Sequence, residues 1–276
     1  MNFFEKVIYF LQAEMPRPKP YGWFHLLCIG LILFFVILLF LKRKNYSEKQ
    51  LKIVLSIYGI IALLLELTKQ IIWSFNYDMI TGIVTWDYQW YAAPFQLCTT
   101  PIFITTICLF MKKGKLRDSL LSYMAFITII GSIMTVIIPD SCFVETTLVN
   151  VHTMWLHCGS LVVSLYLMFT GEVELKLDNL KSAAKVFLFF VFIAEFLNIG
   201  IYNLGILNGE EFNMFYISPY FVSTLPVYNT VQRMIPFPIY LIFYIVSILL
   251  GSGVVYFCAK LTILLKTKLI KKTDMV

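Results

Sequence analysis

The chain has 276 residues, of which 59% are hydrophobic, 17% aromatic and only 14% charged. A soluble domain of this size does not need so much apolar surface, and the mean hydropathy of +0.81 is typical of a membrane protein. The formal net charge is +6. Most of the basic residues flank alternate ends of apolar stretches, a distribution that excludes the concentrated basic patch of a nucleic-acid-binding protein.

The first 22 residues contain a short apolar run that is interrupted by charges and followed by Pro16, Pro18 and Pro20. A cleavable signal peptide has a basic start, an uninterrupted apolar core and a small-residue cleavage site. Because this region shows none of these features cleanly, we predict a short interfacial helix and a proline-stiffened lead-in over 1–22.

Seven apolar stretches follow, each near the 20 residues that a helix needs to cross a bilayer core about 30 Å thick. We therefore predict an all-α, polytopic membrane protein, with a seven-helix transmembrane domain over 23–261 and a basic cytoplasmic tail over 262–276. The predicted spans lie near 23–41, 52–74, 94–111, 119–138, 149–170, 184–206 and 239–261.

The loops between these stretches alternate in charge, which indicates the orientation of the protein. Basic residues cluster around 42–52, 112–117, 176–185 and 260–272. The intervening loops are acidic, with Asp78, Asp87, Asp140, Glu145, Glu210 and Glu211. Under the positive-inside rule the N-terminus lies outside and the C-terminus in the cytoplasm. We expect a multi-pass protein of the cell membrane.

The third apolar stretch opens with Pro94-Phe95-Gln96-Leu97-Cys98. Proline is well tolerated at the first helical position, because the N–H that it lacks has no partner there. A helix that begins at Pro94 brings Cys98 close to unsatisfied N–H groups and to the positive end of the helix dipole, where a thiolate is favoured. Pro101 then removes one hydrogen bond within the helix, so we predict a kink just beyond the thiol.

Polar side chains from several predicted spans fall in the same, outer half of the membrane. Each would be costly if left alone in lipid, so we expect one shared pocket that opens toward the outer leaflet. The residues are His25, Glu66, Lys69, Gln96, Cys98, His152, His157, Glu195 and Asn198, with Asn213 and Arg233 in the loop above. Glu66 and Lys69 are three residues apart on one helix face, which also suits an internal ion pair that fixes helix packing. The aromatic-rich outer loop 207–238 has the length of a functional loop, and we consider it a candidate lid.

A thiol and an imidazole in such a pocket make the minimal nucleophile–base pair for acyl transfer, and Cys98 and His157 are the candidates. Gln96 or Asn213 is a candidate donor to the oxyanion. His152 lies about 140° around the helix from His157, which argues against a two-histidine metal clamp. Without a Cys-x-x-Cys pair, nothing calls for a metal or a cofactor. A disulfide between Cys98 and Cys142 is an alternative that would block the thiol.

At these positions the sequence resembles the YwaF-like family of bacterial integral membrane proteins, which is related to eukaryotic transmembrane protein 164. The matching residues are His25, Glu66, Pro94 and Cys98, His157, Asn213-Met214-Phe215 with Pro219, and Pro238-Ile239-Tyr240. The sequence departs from the family pattern at Gln96, where histidine is frequent, and at Met214, where tyrosine is frequent.

This resemblance implies a seven-helix fold and a cysteine-dependent acyltransferase that moves fatty acyl chains between phospholipids. Cys98 would be the nucleophile and His157 the base. The sequence is also distantly similar to the androgen-induced-gene lipid hydrolases, which use a threonine and a histidine.

Three functions remain open on the sequence. The first is a membrane lipid acyltransferase or acyl hydrolase, with substrate-binding residues His25, Glu66, Lys69, Gln96, His152 and Asn213. The second is a non-enzymatic transporter or sensor, whose intramembrane ionisable residues carry protons or bind a small ligand. The third is a structural membrane protein with an internally satisfied polar core. The expected partners are the membrane and a phospholipid or other lipid, with no nucleic acid and no obvious protein partner.

Overall fold

The computed structural model describes residues 1–139 and 142–273, apart from the side chains of residues 45, 263 and 265–273. Asp140 of the predicted acidic loops and residues 274–276 of the predicted tail lie outside the described residues. The helices are α1 Phe3–Leu11, α2 Trp23–Lys42, α3 Glu48–Ile72, α4 Thr100–Phe110, α5 Lys115–Tyr123, α6 Ile129–Ile137, α7 Thr147–Thr170, α8 Leu177–Asn203, α9 Pro226–Met234 and α10 Phe237–Thr273. A small antiparallel hairpin, β1 Phe75–Tyr77 and β2 Val84–Trp86, follows α3.

The prediction of an all-α membrane protein is confirmed. Six continuous helical segments in the described chain are long and apolar enough to cross a bilayer. One of them consists of α5 and α6, which are joined by the π-helical segment Met124–Thr128. The seventh apolar helix, α4, has only 11 residues. At 1.5 Å per residue it covers about half of a bilayer core. The number of crossings and the orientation remain predictions.

The predicted start of the third span at Pro94 is wrong, because α4 begins at Thr100. A helix from Pro94 would have placed Pro101 in its interior, where it clashes with the carbonyl of Leu97 and removes a hydrogen bond. With the start at Thr100, Pro101 falls in the first turn, where its missing N–H costs nothing. The kink is thereby avoided, and Cys98 lies in the turn just before the helix.

One end of the bundle carries the segments that surround Cys98, and we call it the N-terminal end because α1 packs there. The Gln12 side chain donates to the carbonyls of Ile72 and Phe75. At the opposite end, the buried Arg117 donates to Glu48 at 2.7 Å and to the buried Glu172 at 2.8 Å. This cluster ties α3 and α5 to the α7–α8 turn.

Tyr46 is the fourth member of this cluster. Its hydroxyl donates to Glu172, and burial of the phenol, together with this carboxylate, raises the pKa of Tyr46. Tyr46 lies in the α2–α3 connection. The cluster therefore joins the α2–α3 and α7–α8 connections to the starts of α3 and α5, at the end of the bundle opposite Cys98.

The chain between α8 and α10 packs into the bundle instead of leaving it. Residues Phe212, Met214, Phe215 and Ile217 are buried. The Gln96 amide donates to the Asn213 carbonyl at 2.9 Å and accepts from the Phe215 N–H at 2.8 Å. Asn198 likewise donates to the Met214 carbonyl and accepts from the Met214 N–H. Two side-chain amides thus replace the hydrogen bonds that this non-helical backbone lacks.

Close packing of α3 against α7 depends on Gly159. A Cβ atom at this position would lie 2.7 Å from the ring of Tyr58. We expect Gly159→Ala to lower the free energy of unfolding by about 1–3 kcal/mol, because the two helices must separate. Thermal unfolding of the purified protein in detergent measures the change.

The matched control is Gly200→Ala in α8, where an added Cβ meets nothing within 4 Å. This control should be neutral or slightly stabilising, because alanine favours helix. Equal unfolding temperatures for the two variants would contradict the role of Gly159.

The Gln96 contacts make a second prediction. Gln96→Leu leaves the buried Phe215 N–H without a partner, which costs about 1–3 kcal/mol, and removes one of the two donors to the Asn213 carbonyl, which keeps the Tyr216 N–H at 3.3 Å. We expect faster limited proteolysis within 207–238. The control is Gln89→Leu, since the Gln89 side chain bonds its near neighbour Asp87 and no distant segment of the described chain. Unchanged cleavage in the Gln96 variant would show that other contacts hold the segment.

Candidate functional site

Cys98 is partly buried in the turn between Gln96 and Thr99, and it is a free thiol, so the alternative of a disulfide to Cys142 is not formed. Its backbone N–H faces its own sulfur, and Glu66 and Lys69 lie close enough to interact with the sulfur electrostatically. The thiol therefore lies inside the protein, beside charged groups of α3.

Three tyrosines also lie within electrostatic range of Cys98, namely Tyr58, Tyr123 and Tyr216. They come from α3, from the end of α5 and from the segment after α8. The Tyr123 hydroxyl pairs with the Thr100 hydroxyl at 2.9 Å. Nothing in the sequence distinguishes these three among its 16 tyrosines, because only the packing brings them to the thiol.

His157 lies on the buried stripe of α7, close to the backbone of Gly131 in α6. One helical turn further along, the Ser160 hydroxyl lies 3.3 Å from that of Thr128 in the π-helical segment. The hydroxyl of Tyr58, one of the tyrosines near Cys98, donates to the Leu156 carbonyl of α7 at 3.4 Å. Tyr58 thus connects the surroundings of the thiol to the helix that carries His157. Among the described residues, no hydrogen bond joins Cys98 to an imidazole.

Glu66 is the centre of a buried charged network. Its Oε1 lies 2.8 Å from Lys69 Nζ and accepts from the Gln70 amide at 2.7 Å, and its Oε2 lies 2.7 Å from His152 Nε2. The predicted pair of Glu66 and Lys69 is therefore present, with His152 as a third member. His152 Nδ1 is buried and has no hydrogen-bond partner in the described chain.

The two α7 histidines face different neighbours, as their spacing predicts. His152 points to Glu66 of α3, whereas His157 points to Gly131 of α6. The three His, Cys, Asp or Glu side chains that a metal site requires are not grouped anywhere within 1–139 and 142–273.

His25 uses both ring nitrogens in contacts with backbone. Nδ1 accepts from the Tyr21 N–H at 3.0 Å, so Nε2 carries the proton and donates to the Val136 carbonyl at 3.0 Å. The ring is fully buried. In this arrangement His25 joins the start of α2 to the end of α6, and neither nitrogen is left for a ligand.

The side chains of Gln96 and Asn213 also have hydrogen-bond partners within the protein. Besides the contacts of Gln96 described above, the Asn213 side chain accepts from the Ser218 N–H at 2.9 Å and donates to the Phe221 carbonyl. Both residues nevertheless line a cavity of about 280 Å³ at the N-terminal end of the bundle. Its other lining residues are Gln89, Tyr91, Glu210, Glu211, Tyr216 and Thr224.

Backbone strain occurs at the edge of this cavity, where Tyr216 lines it. Phe215 and Tyr216 both have positive φ angles, of 58° and 59°, which residues other than glycine seldom adopt. The Phe215 ring stacks on Phe95 at 5.7 Å, and the Tyr216 carbonyl accepts from the Tyr240 hydroxyl at 2.7 Å. Such strain persists only where surrounding contacts enforce it, and it concentrates at functional sites.

Comparison with known proteins identifies the family. The model of the TMEM164 family matches residues 20–256. Among curated proteins and among solved structures, no match to the chain was found. The match confirms the predicted relation to transmembrane protein 164, whereas the narrower likeness to YwaF remains a prediction. Since the matched region covers most of its length, this chain belongs to the TMEM164 family.

Proposed function

We propose that this protein is a lipid acyltransferase or acyl hydrolase of the cell membrane, in which Cys98 and His157 carry the chemistry. The observation that carries the proposal is the setting of Cys98, a free thiol in non-helical chain enclosed by an apolar helical bundle. Non-helical backbone at membrane depth is tolerated where it is buried in protein or lines a cavity. A thiol held in such a segment, beside charged and phenolic side chains, is arranged for chemistry.

The proposed reaction has two steps. His157 takes the proton of the Cys98 thiol, and the thiolate attacks the ester carbonyl of a phospholipid. The ester C–O bond breaks, the departing lysolipid oxygen takes the proton from the imidazolium, and a thioester remains on Cys98. A lysolipid hydroxyl, or water in the hydrolase, then loses its proton to His157 and attacks the thioester. The thiolate leaves and regains the proton.

The Cys98 N–H is the proposed oxyanion donor. It faces its own sulfur, so a carbonyl carbon bonded to that sulfur has its oxygen close to this N–H. Gln96 takes a positioning role, because its amide is bonded to the backbone at Asn213 and Phe215. Neither role needs the side chain of Asn213 to reach the substrate.

A direct test is mass spectrometry of the purified protein after brief incubation with phospholipids. We expect a fatty-acyl mass on the peptide that contains Cys98 and none in Cys98→Ala. His157→Gln should slow acylation by about 10²- to 10⁴-fold, the range for loss of a general base. Cys108→Ala, which replaces a buried cysteine of the following helix α4, is the matched control and should be acylated at Cys98 normally. A Cys98 that remains unmodified under turnover conditions would contradict the proposal.

A non-enzymatic transporter or sensor is the second candidate, and the Glu66 network favours it. Glu66 and His152 are buried, and His152 Nδ1 has no hydrogen-bond partner in the described chain. Outside the network, Glu195 Oε1 of α8 is another buried atom without such a partner. Unpaired polar atoms in the interior require an explanation, such as a ligand, a proton or a water molecule. In this function the network carries a proton or a small ligand, and Cys98 is dispensable.

Proton flux into proteoliposomes separates the two candidates. If acyl transfer is the function, we expect no flux above that of empty vesicles, for the wild type and for Glu66→Gln alike. A transporter would show flux that survives in Cys98→Ala and disappears in Glu66→Gln, because the carboxylate would be part of the path. That second pattern would replace the enzyme proposal.

A further inference from the structure

The larger cavity at the N-terminal end of the bundle lies apart from Cys98 and has a wall of aromatic rings. Its volume is about 600 Å³. Trp86, Tyr88 and Trp90 line it, on a segment whose Asp87 and Gln89 N–H groups donate to the carbonyls of Ser74 and Trp73. The Trp86 and Tyr88 rings stack with their centroids 6.2 Å apart, and the Tyr88 and Trp90 rings meet edge-on at 5.2 Å. The three rings therefore form one surface.

Each ring is held in place by a contact of its own. The Trp86 ring packs edge-on against Phe75, with centroids 5.2 Å apart. The Tyr88 hydroxyl donates to Gln70 at 2.9 Å. The Trp90 ring packs edge-on against Phe212. A surface of fixed rings binds a ligand with little loss of conformational entropy.

The charges around this surface are negative. Asp87 and Glu210 line the same cavity, and its lining residues include no lysine or arginine. Glu210 is fixed beside the rings, because its Oε2 accepts from the Trp90 N–H at 2.8 Å. The faces of aromatic rings are also negative and attract ammonium groups. Ring faces and carboxylates together favour a soft organic cation and disfavour an anion.

We propose that this cavity binds an alkylammonium group, such as the head group of a zwitterionic phospholipid. The ring faces take the alkyl substituents on nitrogen, and Asp87 and Glu210 balance the charge. A lipid head group and a free soluble amine share this chemistry, and experiment distinguishes them.

The position of the cavity favours the lipid. Glu210 also lines the smaller cavity, whose wall includes Gln96, two residues before Cys98. A lipid with its head group on the aromatic surface therefore has its glycerol region on the side of the smaller cavity. This choice of source rests on the proposed lipid function, whereas alkylammonium binding itself does not.

The experiment uses the full chain with Cys98→Ala, so that binding is measured without turnover. Native mass spectrometry compares phosphatidylcholine with phosphatidylglycerol of identical acyl chains. Tryptophan fluorescence follows titration with tetramethylammonium chloride against sodium chloride at equal ionic strength. We expect about a five-fold preference for phosphatidylcholine and saturable quenching by tetramethylammonium, which are the magnitudes of a cation held over aromatic rings.

Variants assign the effect to this cavity. Trp86→Leu should abolish the preference and Trp86→Phe should keep most of it. The Trp86 side chain is 69% exposed, so its replacement leaves the fold intact. Glu210→Gln removes the charge and keeps an acceptor for the Trp90 N–H. Trp23→Leu and Glu145→Gln, exposed residues outside the cavity, are the matched controls and should not change binding.

The outcomes separate cleanly. Tetramethylammonium binding together with lipid preference supports the head-group site, and tetramethylammonium binding alone supports the cavity with a soluble amine as its ligand. Equal binding of both lipids and no tetramethylammonium binding would overturn the proposal. Lipid preference in the Cys98→Ala protein, together with a wild type whose Cys98 never forms a thioester, would refute the acyl transfer while leaving this site in place.

Discussion

The structure depends on how backbone hydrogen bonds are satisfied where the helices stop. An apolar environment offers no water to unpaired N–H and C=O groups, and each of them costs several kcal/mol there. Residues 212–217 are largely buried although they contain only one distorted 3-10 turn, Met214–Tyr216, and no α-helix. Gln96 and Asn198 bind both sides of that backbone with their amides. These two side chains therefore allow irregular chain to exist inside the bundle.

The short helix α4 follows from the same constraint. Pro101 is tolerated in the first turn of a helix, so the chain before Thr100 does not continue the helix. The backbone N–H and C=O groups of that chain must therefore be covered by other parts of the protein. The 207–238 segment provides that cover through Gln96. Cys98 is consequently half-buried and within electrostatic range of Tyr216, a residue of the covering segment that also lines the smaller cavity.

Much of the site was predictable from the sequence, because polar residues in apolar helices are costly in lipid and face the interior of the protein. The grouping of Glu66 with Lys69, and the different faces of His152 and His157, follow from helical spacing alone. The start of α4 was not predictable in this way, since two prolines compete for the first turn. His25 and Gln96 each bond to a backbone carbonyl more than 100 residues away, and backbone atoms leave no signal in a sequence.

The two buried charge clusters show where function is to be sought. Around Arg117, the guanidinium donates to two carboxylates and the Tyr46 phenol donates to one of them, as suits a structural fastening. Around Glu66 the cluster includes the imidazole of His152, and Glu66 lies within electrostatic range of the Cys98 thiol. Each cluster has one buried nitrogen without a partner among the described residues, Arg117 Nε in the first and His152 Nδ1 in the second, so satisfaction of hydrogen bonds does not distinguish them. A guanidinium stays charged, whereas an imidazole can take up and release a proton, and this chemical difference favours the Cys98 end as the reactive end of the molecule.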